Sequence, residues 1–256
     1  MIEEFMSHGI NVSRVYIKDE EEAKALEKPI GRYTTLKTGP LNNDVRFKDI
    51  CNCLSEELSF YLTPYMKKPL CICGIGNSSM IADALGPETI HRILPSVWEA
   101  FSEIYSAIPN FDKIVAFCPG VKGETNLSTR AAVSSIAHTI DAACVLTVDA
   151  TVCSGYDRLC STIQIADSGM RFDGSKDYLS LSTIGIPVIS IGVPTIIRAG
   201  TLSPDACNGC DDFLTVSCIA NVIKDAAFII ACSVLRTAYS KVDYDTGRKI
   251  INEILL

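Results

Sequence analysis

Short apolar segments that end at glycine or proline and alternate with helix-forming segments constrain the fold of this chain most strongly. An apolar run of four to eight residues, bounded by turn residues, is typical of a strand buried in a parallel sheet. Such runs occupy residues 70–75, 113–118, 144–148 and 186–191. Because strands that alternate with helices form βαβ units, the sequence predicts an α/β fold, a doubly wound and largely parallel sheet with helices on both faces.

Helical periodicity accounts for much of the chain between these runs. Leucine or isoleucine recurs at every fourth position within residues 45–62, which predicts an amphipathic helix. Further helices are expected at residues 19–28, 87–98, 129–142, 213–239 and 247–256, and the alternating residues 161–166 predict an edge or half-exposed strand. A chain of 256 residues is expected to form one α/β domain over residues 1–256, with residues 1–44 as an N-terminal extension packed on it.

The composition argues against several classes of function. Apolar residues make up 48% of the chain, which is enough for a sizeable core, and the net charge is −7. Proteins that bind nucleic acids or anionic membranes usually display a basic face, so neither partner is expected. No uninterrupted apolar run reaches the roughly 20 residues that span a bilayer, and residues 1–16 lack the apolar core of a signal peptide. We therefore expect a cytoplasmic protein.

Twelve cysteines are present, and most lie inside apolar segments, where cysteine behaves as a small hydrophobic residue. The expected cytoplasmic location favours free thiols over disulfides. Cys207 and Cys210 form the one C-x-x-C motif, and no second motif of this kind completes a zinc site with it. We interpret it as a loop feature whose role the sequence leaves open, and we expect neither a metal nor a cofactor.

Two aspartates, Asp83 and Asp149, each follow an apolar run with strand character. In α/β folds, ligands bind just beyond the carboxyl ends of the parallel strands. Two carboxylates brought there from separate strands can share a proton and activate a water molecule. Asp83 alone is explained more simply as an acidic residue near a helix N-terminus, where the macrodipole stabilises it. Asp149 directly follows a buried strand, which favours a functional role at least equally.

Other motifs carry weaker signals. Gly74-Ile75-Gly76-Asn77 resembles the start of a dinucleotide-binding fingerprint, but residue 79 is serine where the third glycine belongs, so a tight turn is the better interpretation. Asp167-Ser168-Gly169 matches the triplet of pepsin-like proteases, yet no second copy exists and an Asx turn explains it more simply. The three histidines share no ligand spacing, and Cys118 has no neighbour in sequence that would activate it as a nucleophile.

Several short blocks are together more specific than any one of them. In chain order they are Ser13-Arg14-Val15, Lys28-Pro29-Ile30-Gly31-Arg32-Tyr33, Asp83-Ala84-Leu85-Gly86-Pro87, Val148-Asp149-Ala150, Asp167-Ser168-Gly169 and Val193-Pro194-Thr195. This ordered set, which covers residues 13 to about 200, resembles the germination proteases of spore-forming bacteria.

The resemblance implies an α/β endopeptidase, related in fold to the hydrogenase-maturation peptidases, that degrades small acid-soluble spore proteins in the spore core during germination. It also implies synthesis as a zymogen and assembly as a homotetramer. The proposed catalytic residues of the family are two aspartates, which correspond to Asp83 and Asp149 of this chain. Our hypothesis is therefore peptide hydrolysis by a water held between these two carboxylates, without a metal.

The surroundings of the aspartate pair suggest supporting roles. The backbone N–H groups of Gly74, Gly76 and Asn77 are expected to stabilise the oxyanion, and Asp167 is expected on the substrate side of the site.

Two alternatives remain open. A catalytically inactive or divergent paralogue could bind peptides without cutting them, which departures from the family pattern at residues 171–176 and at Arg198 favour. The second alternative is a metal-dependent peptidase, although no histidine lies at the end of a predicted strand.

Overall fold

The computed structural model describes residues 1–93, 98, 106–171, 178–202 and 212–254. Its centre is a nine-stranded mixed sheet, accompanied by two pairs of short strands. The strands are, in chain order, β1 (Ile2–Ser7), β2 (Ile10–Ile17), β3 (Gly31–Lys37), β4 (Pro69–Gly74), β5 (Ile108–Pro109), β6 (Lys113–Phe117), β7 (Cys144–Cys153), β8 (Thr162–Ala166), β9 (Met170–Arg171), β10 (Tyr178–Leu179), β11 (Val188–Arg198), β12 (Phe213–Leu214) and β13 (Tyr239–Ser240).

The helices follow the predicted periodicity. Within the helix predicted for residues 45–62, Ile50, Leu54 and Leu58 are fully buried, and burial of each contributes about 1.5–3 kcal/mol. The described α-helices are α1 (Glu20–Leu26), α2 (Phe47–Leu62), α3 (Leu85–Arg92), α4 (Lys122–Thr125), α5 (Thr129–Thr139), α6 (Leu181–Ile184), α7 (Ala199–Leu202), α8 (Ile219–Ala238) and α9 (Tyr244–Ile254). Among them, none combines the length and the apolar character needed to cross a bilayer.

The sheet has the strand order β1-β2-β3-β8-β11-β7-β4-β6, with β12 also paired to β11. Strands β11, β7, β4 and β6 are parallel, whereas β1, β2, β3 and β8 are antiparallel to their neighbours. The predicted α/β class is confirmed. The sheet is mixed because the parallel half, built from βαβ units, is continued by antiparallel strands.

Two expectations about single elements are wrong in part. Residues 161–166 were expected to form an edge or half-exposed strand. β8 is half-exposed, with Gln164 and Ala166 partly accessible, but it lies inside the sheet between β3 and β11, because residues 2–37 supply three strands that continue the sheet beyond it. The helix expected over residues 213–239 begins at Ile219, since Phe213 and Leu214 instead pair with β11. Part of the helix expected at residues 87–98 lies outside the described residues, as do Cys207 and Cys210.

Helices pack on both faces of the sheet, as predicted. Alternate residues of β4 point to opposite faces: Leu70 and Ile72 belong to the main core with α2, α3, α8 and α9, whereas Cys71 and Cys73 pack in a second core that includes Val133 of α5. The ten cysteines among the described residues are free thiols, and most are buried. The two helical layers leave the carboxyl ends of β4, β7 and β11 as the place where loops and strand ends converge.

Candidate active site

Glycines set the geometry at the carboxyl end of β4. A Cβ atom on Gly86, at the start of α3, would lie 2.2 Å from the carbonyl oxygen of Ile75 and 2.6 Å from that of Val148. The start of α3 therefore packs backbone against backbone on the end of β4 and on the interior of β7. Gly76 has φ +132°, and a Cβ there would lie 2.0 Å from the carbonyl oxygen of Asp83. These close approaches bring the Asp83 turn next to β7.

Asp83 lies on a short 3₁₀ turn, Ile81–Asp83, that is held from two sides. Its Oδ2 accepts a hydrogen bond of 2.7 Å from the backbone N–H of Asn77, and Thr195 Oγ1 donates one of 2.7 Å to the carbonyl oxygen of Ala82. The carboxylate thus binds the loop after β4, and the residue that precedes α3, Ala84, provides no side-chain cap. Asp83 directly precedes this N-cap residue, so its expected position near a helix N-terminus is confirmed as well.

The electrostatic surroundings of Asp83 favour its protonated form. Burial raises the pKa of Asp83 because it removes water from the charged carboxylate, the hydrogen bond from Asn77 opposes this rise, and the negative charge of Glu124 adds to it. A carboxyl group with a raised pKa can act as a proton donor closer to neutral pH than an ordinary aspartate.

Asp149 lies inside a strand and not at its end, as the sequence had suggested, because β7 continues to Cys153. Its exposure follows from its neighbours. The last paired residue of β4 is Gly74, opposite Val148. No residue of β4 is therefore paired with Asp149, which leaves room for its side chain on that side. On the other side, Asp149 is paired with Gly192 of β11, which has no side chain. The end of β4 on one side and a glycine of β11 on the other therefore open the sheet at Asp149.

The structure brings Asp83 and Asp149 to one cavity of about 980 Å³. Three cationic side chains, Lys122, Arg171 and Arg198, share its lining, and the guanidinium of Arg198 lies 4.8 Å from the centre of the Phe213 ring. The cavity is otherwise largely apolar, with walls that include Ile75, Met80, Val121, Val152, Ile196, Phe213 and Leu214. Opposite charges and an apolar wall at the carboxyl edge of a parallel sheet are typical of a catalytic or binding site.

The predicted supporting residues have different positions. Gly76 lines the large cavity. The backbone N–H of Asn77 is already bonded to Asp83, and Gly74 packs tightly beneath Gly86, where a Cβ would lie 2.3 Å from the Gly86 carbonyl oxygen. Of the three glycine and asparagine positions, Gly76 is therefore the one that the fold directs to the cavity.

Asp167 has a structural partner. Its Oδ1 accepts a hydrogen bond from the backbone N–H of Arg32 and its Oδ2 accepts one from Arg32 Nε, both at 2.6 Å. The next two residues, Ser168 and Gly169, line a second cavity of about 390 Å³, which shares Asp149, Thr151 and Arg171 with the large one. Asp167 thus fixes the segment that contributes Ser168 and Gly169 to the second cavity, without being part of its lining.

The sequence-based reasoning missed the residues that come from distant segments. Lys122, Arg171 and Thr195 reach the large cavity, and Thr215 Oγ1 donates a hydrogen bond of 2.6 Å to the Thr195 carbonyl oxygen. The threonine in the Val193-Pro194-Thr195 block was a signal for one of them. Within the described part of the chain, no group of three or more His, Cys, Asp or Glu side chains is arranged to hold a metal ion.

A model of the germination protease family matches residues 1–214. The chain belongs to the germination protease family. It is 32% identical over 213 residues to the germination protease of Caldanaerobacter subterraneus subsp. tengcongensis, a match that covers 80% of this chain and 65% of that protein. Membership confirms the resemblance that the ordered blocks indicated.

Two other family members extend the comparison. The germination protease of Clostridium tetani is 28% identical over 268 aligned positions, with 99% of this chain and 77% of that protein covered. The one from Priestia megaterium is 29% identical over 214 residues, with 80% and 58% covered. The chain thus spans between about three fifths and three quarters of the length of these relatives.

Among solved structures, a NiFe hydrogenase maturation protease from Thermococcus kodakarensis is similar to this chain. The match covers 70% of this chain and 98% of that one, at 16% identity and a TM-score of 0.41. A likeness at this level is too remote to bear on function. The assignment to the germination protease family therefore depends on sequence, and the site depends on the geometry described above.

Proposed function

We propose that this chain is an endopeptidase in which Asp83 and Asp149 together activate a water molecule. The observation that supports this most directly is that two carboxylates, one from the loop after β4 and one from β7, line a single cavity in a member of the germination protease family. Two carboxylates that face one water can divide the roles of acid and base between them.

In the proposed reaction, Asp149 is ionised and removes a proton from the water, whose oxygen attacks the carbonyl carbon of the scissile peptide. Asp83 is the proposed acid, because burial raises its pKa and so favours its protonated form, and it gives its proton to the carbonyl oxygen. When the C–N bond breaks, Asp149 gives the proton that it took from the water to the leaving amine, and Asp83 takes a proton back from the gem-diol, which restores both side chains. The backbone N–H of Gly76, which lines the cavity, is the proposed oxyanion donor. The N–H of Asn77 contributes indirectly, through its hydrogen bond to Asp83.

The proposed substrates are small acid-soluble spore proteins, and the proposed location is the spore core. Family membership supports both, as it supports a homotetramer as the working assembly. We propose no cofactor and no membrane or nucleic-acid partner, in agreement with the net charge of −7. The apolar wall of the large cavity suits the side chains of an unfolded or extended substrate segment better than a compact one.

The test is incubation of the purified full chain with a small acid-soluble spore protein, followed by mass spectrometry of the products. Specific fragments are expected from the unmutated chain, and loss of at least about a hundredfold in rate from both Asp83→Asn and Asp149→Asn, because general acid–base catalysis contributes about 10²–10⁴-fold. Asp112→Asn is the matched control, since Asp112 is exposed at the amino end of β6, away from the cavity. Undiminished cleavage by Asp149→Asn would disprove the mechanism.

A non-catalytic peptide-binding protein is the second candidate. The observation in its favour is that Arg171 and Arg198 line the same cavity as the two aspartates, where they can neutralise the carboxylates. Retention of the spore protein without fragments, measured by size-exclusion chromatography of the same mixtures, supports this candidate. Loss of cleavage in a chelator, restored by added divalent metal, would instead indicate a metal-dependent peptidase.

A further inference from the structure

The second cavity lies on a polar strip of the sheet. Leu36, Ile163 and Ile191 of β3, β8 and β11 point into the main core. Because side chains alternate along a strand, their neighbours point the other way, and Thr35, Gln164 and Ser190 line the smaller cavity. Each of these three residues is half-buried. A concave surface floored by uncharged polar side chains thus adjoins the aspartate site.

One row of paired residues connects this floor with the catalytic candidate. Thr35 is paired with Gln164, Gln164 with Gly192, and Gly192 with Asp149. Neighbouring strands lie about 4.8 Å apart, so the backbones of Gln164 and Asp149 are separated by roughly 10 Å. An extended peptide of about three residues has this length. Since Gly192 has no side chain, no group of its own blocks the path between them.

The polar groups of the floor are available to a ligand. Tyr33 donates its hydroxyl hydrogen bond to the Pro29 carbonyl oxygen at 2.6 Å, and Ser190 donates to that of Ala166 at 3.4 Å. Among the contacts of the described residues, by contrast, neither the Gln164 carboxamide nor the Thr35 hydroxyl has a hydrogen-bond partner. The polar atoms of both groups are not among the fully buried ones that lack a partner, so they remain accessible and can bond to a ligand in the cavity that they line.

The charges around the cavity balance. Glu27 and Asp149 are the acidic residues of its lining, and Lys28 and Arg171 are the basic ones. Lys28 is also engaged, with Nζ 4.9 Å from the centre of the Tyr33 ring. The floor itself offers hydrogen-bond donors and acceptors without charge. This combination favours an uncharged, hydrogen-bonding group over a carboxylate or an ammonium group.

From these observations we infer that the cavity of about 390 Å³ is a specificity subsite for a carboxamide side chain, glutamine or asparagine, within three residues of the scissile bond. Gln164 is its specificity-determining residue, because a carboxamide can donate to and accept from a second carboxamide at the same time. Thr35 adds a hydroxyl at the neighbouring position. The inference depends on the proposed peptidase function, and the experiment below separates the two.

The experiment uses position-scanning decapeptide libraries, in which one position at a time is fixed as Gln, Leu or Glu and initial cleavage rates are measured by mass spectrometry. For the unmutated chain we expect a preference for Gln over Leu of about tenfold or more at one position, since a site built to bind a polar group discriminates against analogues that lack it. In Gln164→Met, which keeps the side-chain length, this preference should fall to within about twofold. The readout is the ratio of the Gln rate to the Leu rate within each variant, so a change in overall activity does not affect it.

Lys37→Met is the matched control, because Lys37 lies two residues from Thr35 on β3 but is exposed, and its ion pair with Glu4 is 3.9 Å long. It should retain the full preference. A preference for Gln that survives in Gln164→Met, or a preference for Glu or Leu at every position, would overturn the subsite. Thermal unfolding of each variant checks that the fold is intact.

The subsite and the peptidase function fail in distinguishable ways. If the unmutated chain cleaves no library, the peptidase proposal is contradicted, and the same libraries are then measured by equilibrium binding to it. Tighter binding of the Gln library by the unmutated chain, lost in Gln164→Met, supports the subsite in a non-catalytic protein. Equal binding of the Gln and Leu libraries overturns it. Cleavage without any effect of Gln164→Met leaves the peptidase proposal standing and disproves the subsite.

Discussion

Gly86→Ala is the substitution that most directly tests how the fold positions Asp83. The added Cβ would lie 2.2 Å from the Ile75 carbonyl oxygen, 2.3 Å from the Ile75 nitrogen and 2.6 Å from the Val148 carbonyl oxygen. All three are backbone atoms, at the end of β4 and inside β7, so no side chain can rotate to make room. Relief requires α3 to move away from the sheet, and Asp83, three residues before Gly86, must move with it.

The size of the effect follows from three contributions. Overpacking of a well-packed region costs about 1–3 kcal/mol, and contacts with backbone atoms belong at the upper end. Loss of the hydrogen bond of 2.8 Å from Ile75 N to the Val148 carbonyl oxygen removes about 1 kcal/mol. The higher helix propensity of alanine returns about 1 kcal/mol. We therefore expect the free energy of unfolding to fall by about 3 kcal/mol, which lowers Tm by about 6–12 °C.

Urea unfolding followed by circular dichroism measures the free energy, and peptidase activity under native conditions reports the displacement of Asp83. Gly200→Ala is the matched control, because Gly200 lies in α7 and a Cβ there would have no neighbour within 4 Å among the described residues. It should leave the free energy of unfolding unchanged or raise it by up to about 1 kcal/mol, because alanine has the higher helix propensity. A loss below about 1 kcal/mol in Gly86→Ala would refute the close packing of α3 on β4 and β7.

The remaining predictions concern charge. Because burial raises the pKa of Asp83, the folded state holds its proton more tightly than the unfolded state, and ionised Asp83 lowers stability above that raised pKa. Asp83→Asn should therefore be more stable than the unmutated chain at neutral pH, and the difference should shrink as pH falls through the raised pKa; urea unfolding across pH measures this, and a constant difference contradicts it. Arg14 binds Glu57 through two hydrogen bonds of 2.8 and 2.9 Å, and Glu57 is 2% exposed. Arg14→Ala should lower the free energy of unfolding by about 2–3 kcal/mol because it leaves a buried carboxylate unpaired. The double variant with Glu57→Gln should recover about 1 kcal/mol or more in the same assay, and no recovery would mean that the loss comes from packing.

Local patterns in the sequence were enough to predict several strands and helices and the two leading site residues. Apolar runs closed by glycine or proline predicted β4 and β6 within a few residues of their observed bounds, and another apolar run predicted the start of β7 but not its continuation to Cys153, because a buried strand needs apolar side chains on both faces. Asp83 and Asp149 stood out because each follows such a run. Family blocks then connected them, and the family assignment is confirmed.

Pairing between distant segments was beyond the reach of those patterns. The sequence left residues 161–166 as an edge or half-exposed strand, because no local feature shows that β3 pairs with β8. Asp167, which resembled a catalytic triplet, binds Arg32, 135 residues earlier in the chain. Both outcomes depend on strand register, which is fixed by the packing of whole faces and not by any single segment.

The sequence by itself determined the α/β class, the positions of the longer helices and of five strands of the central sheet, and the two aspartates, since each depends on residues close together in the chain. The tertiary structure alone decided how the aspartates meet. It ends β4 opposite Val148, pairs Asp149 with a glycine, and packs Gly86 against the end of β4 and the interior of β7, so that Asp83 and Asp149 line one cavity. The row from Thr35 to Asp149 is likewise a product of register, because four strands from distant parts of the chain contribute one residue each.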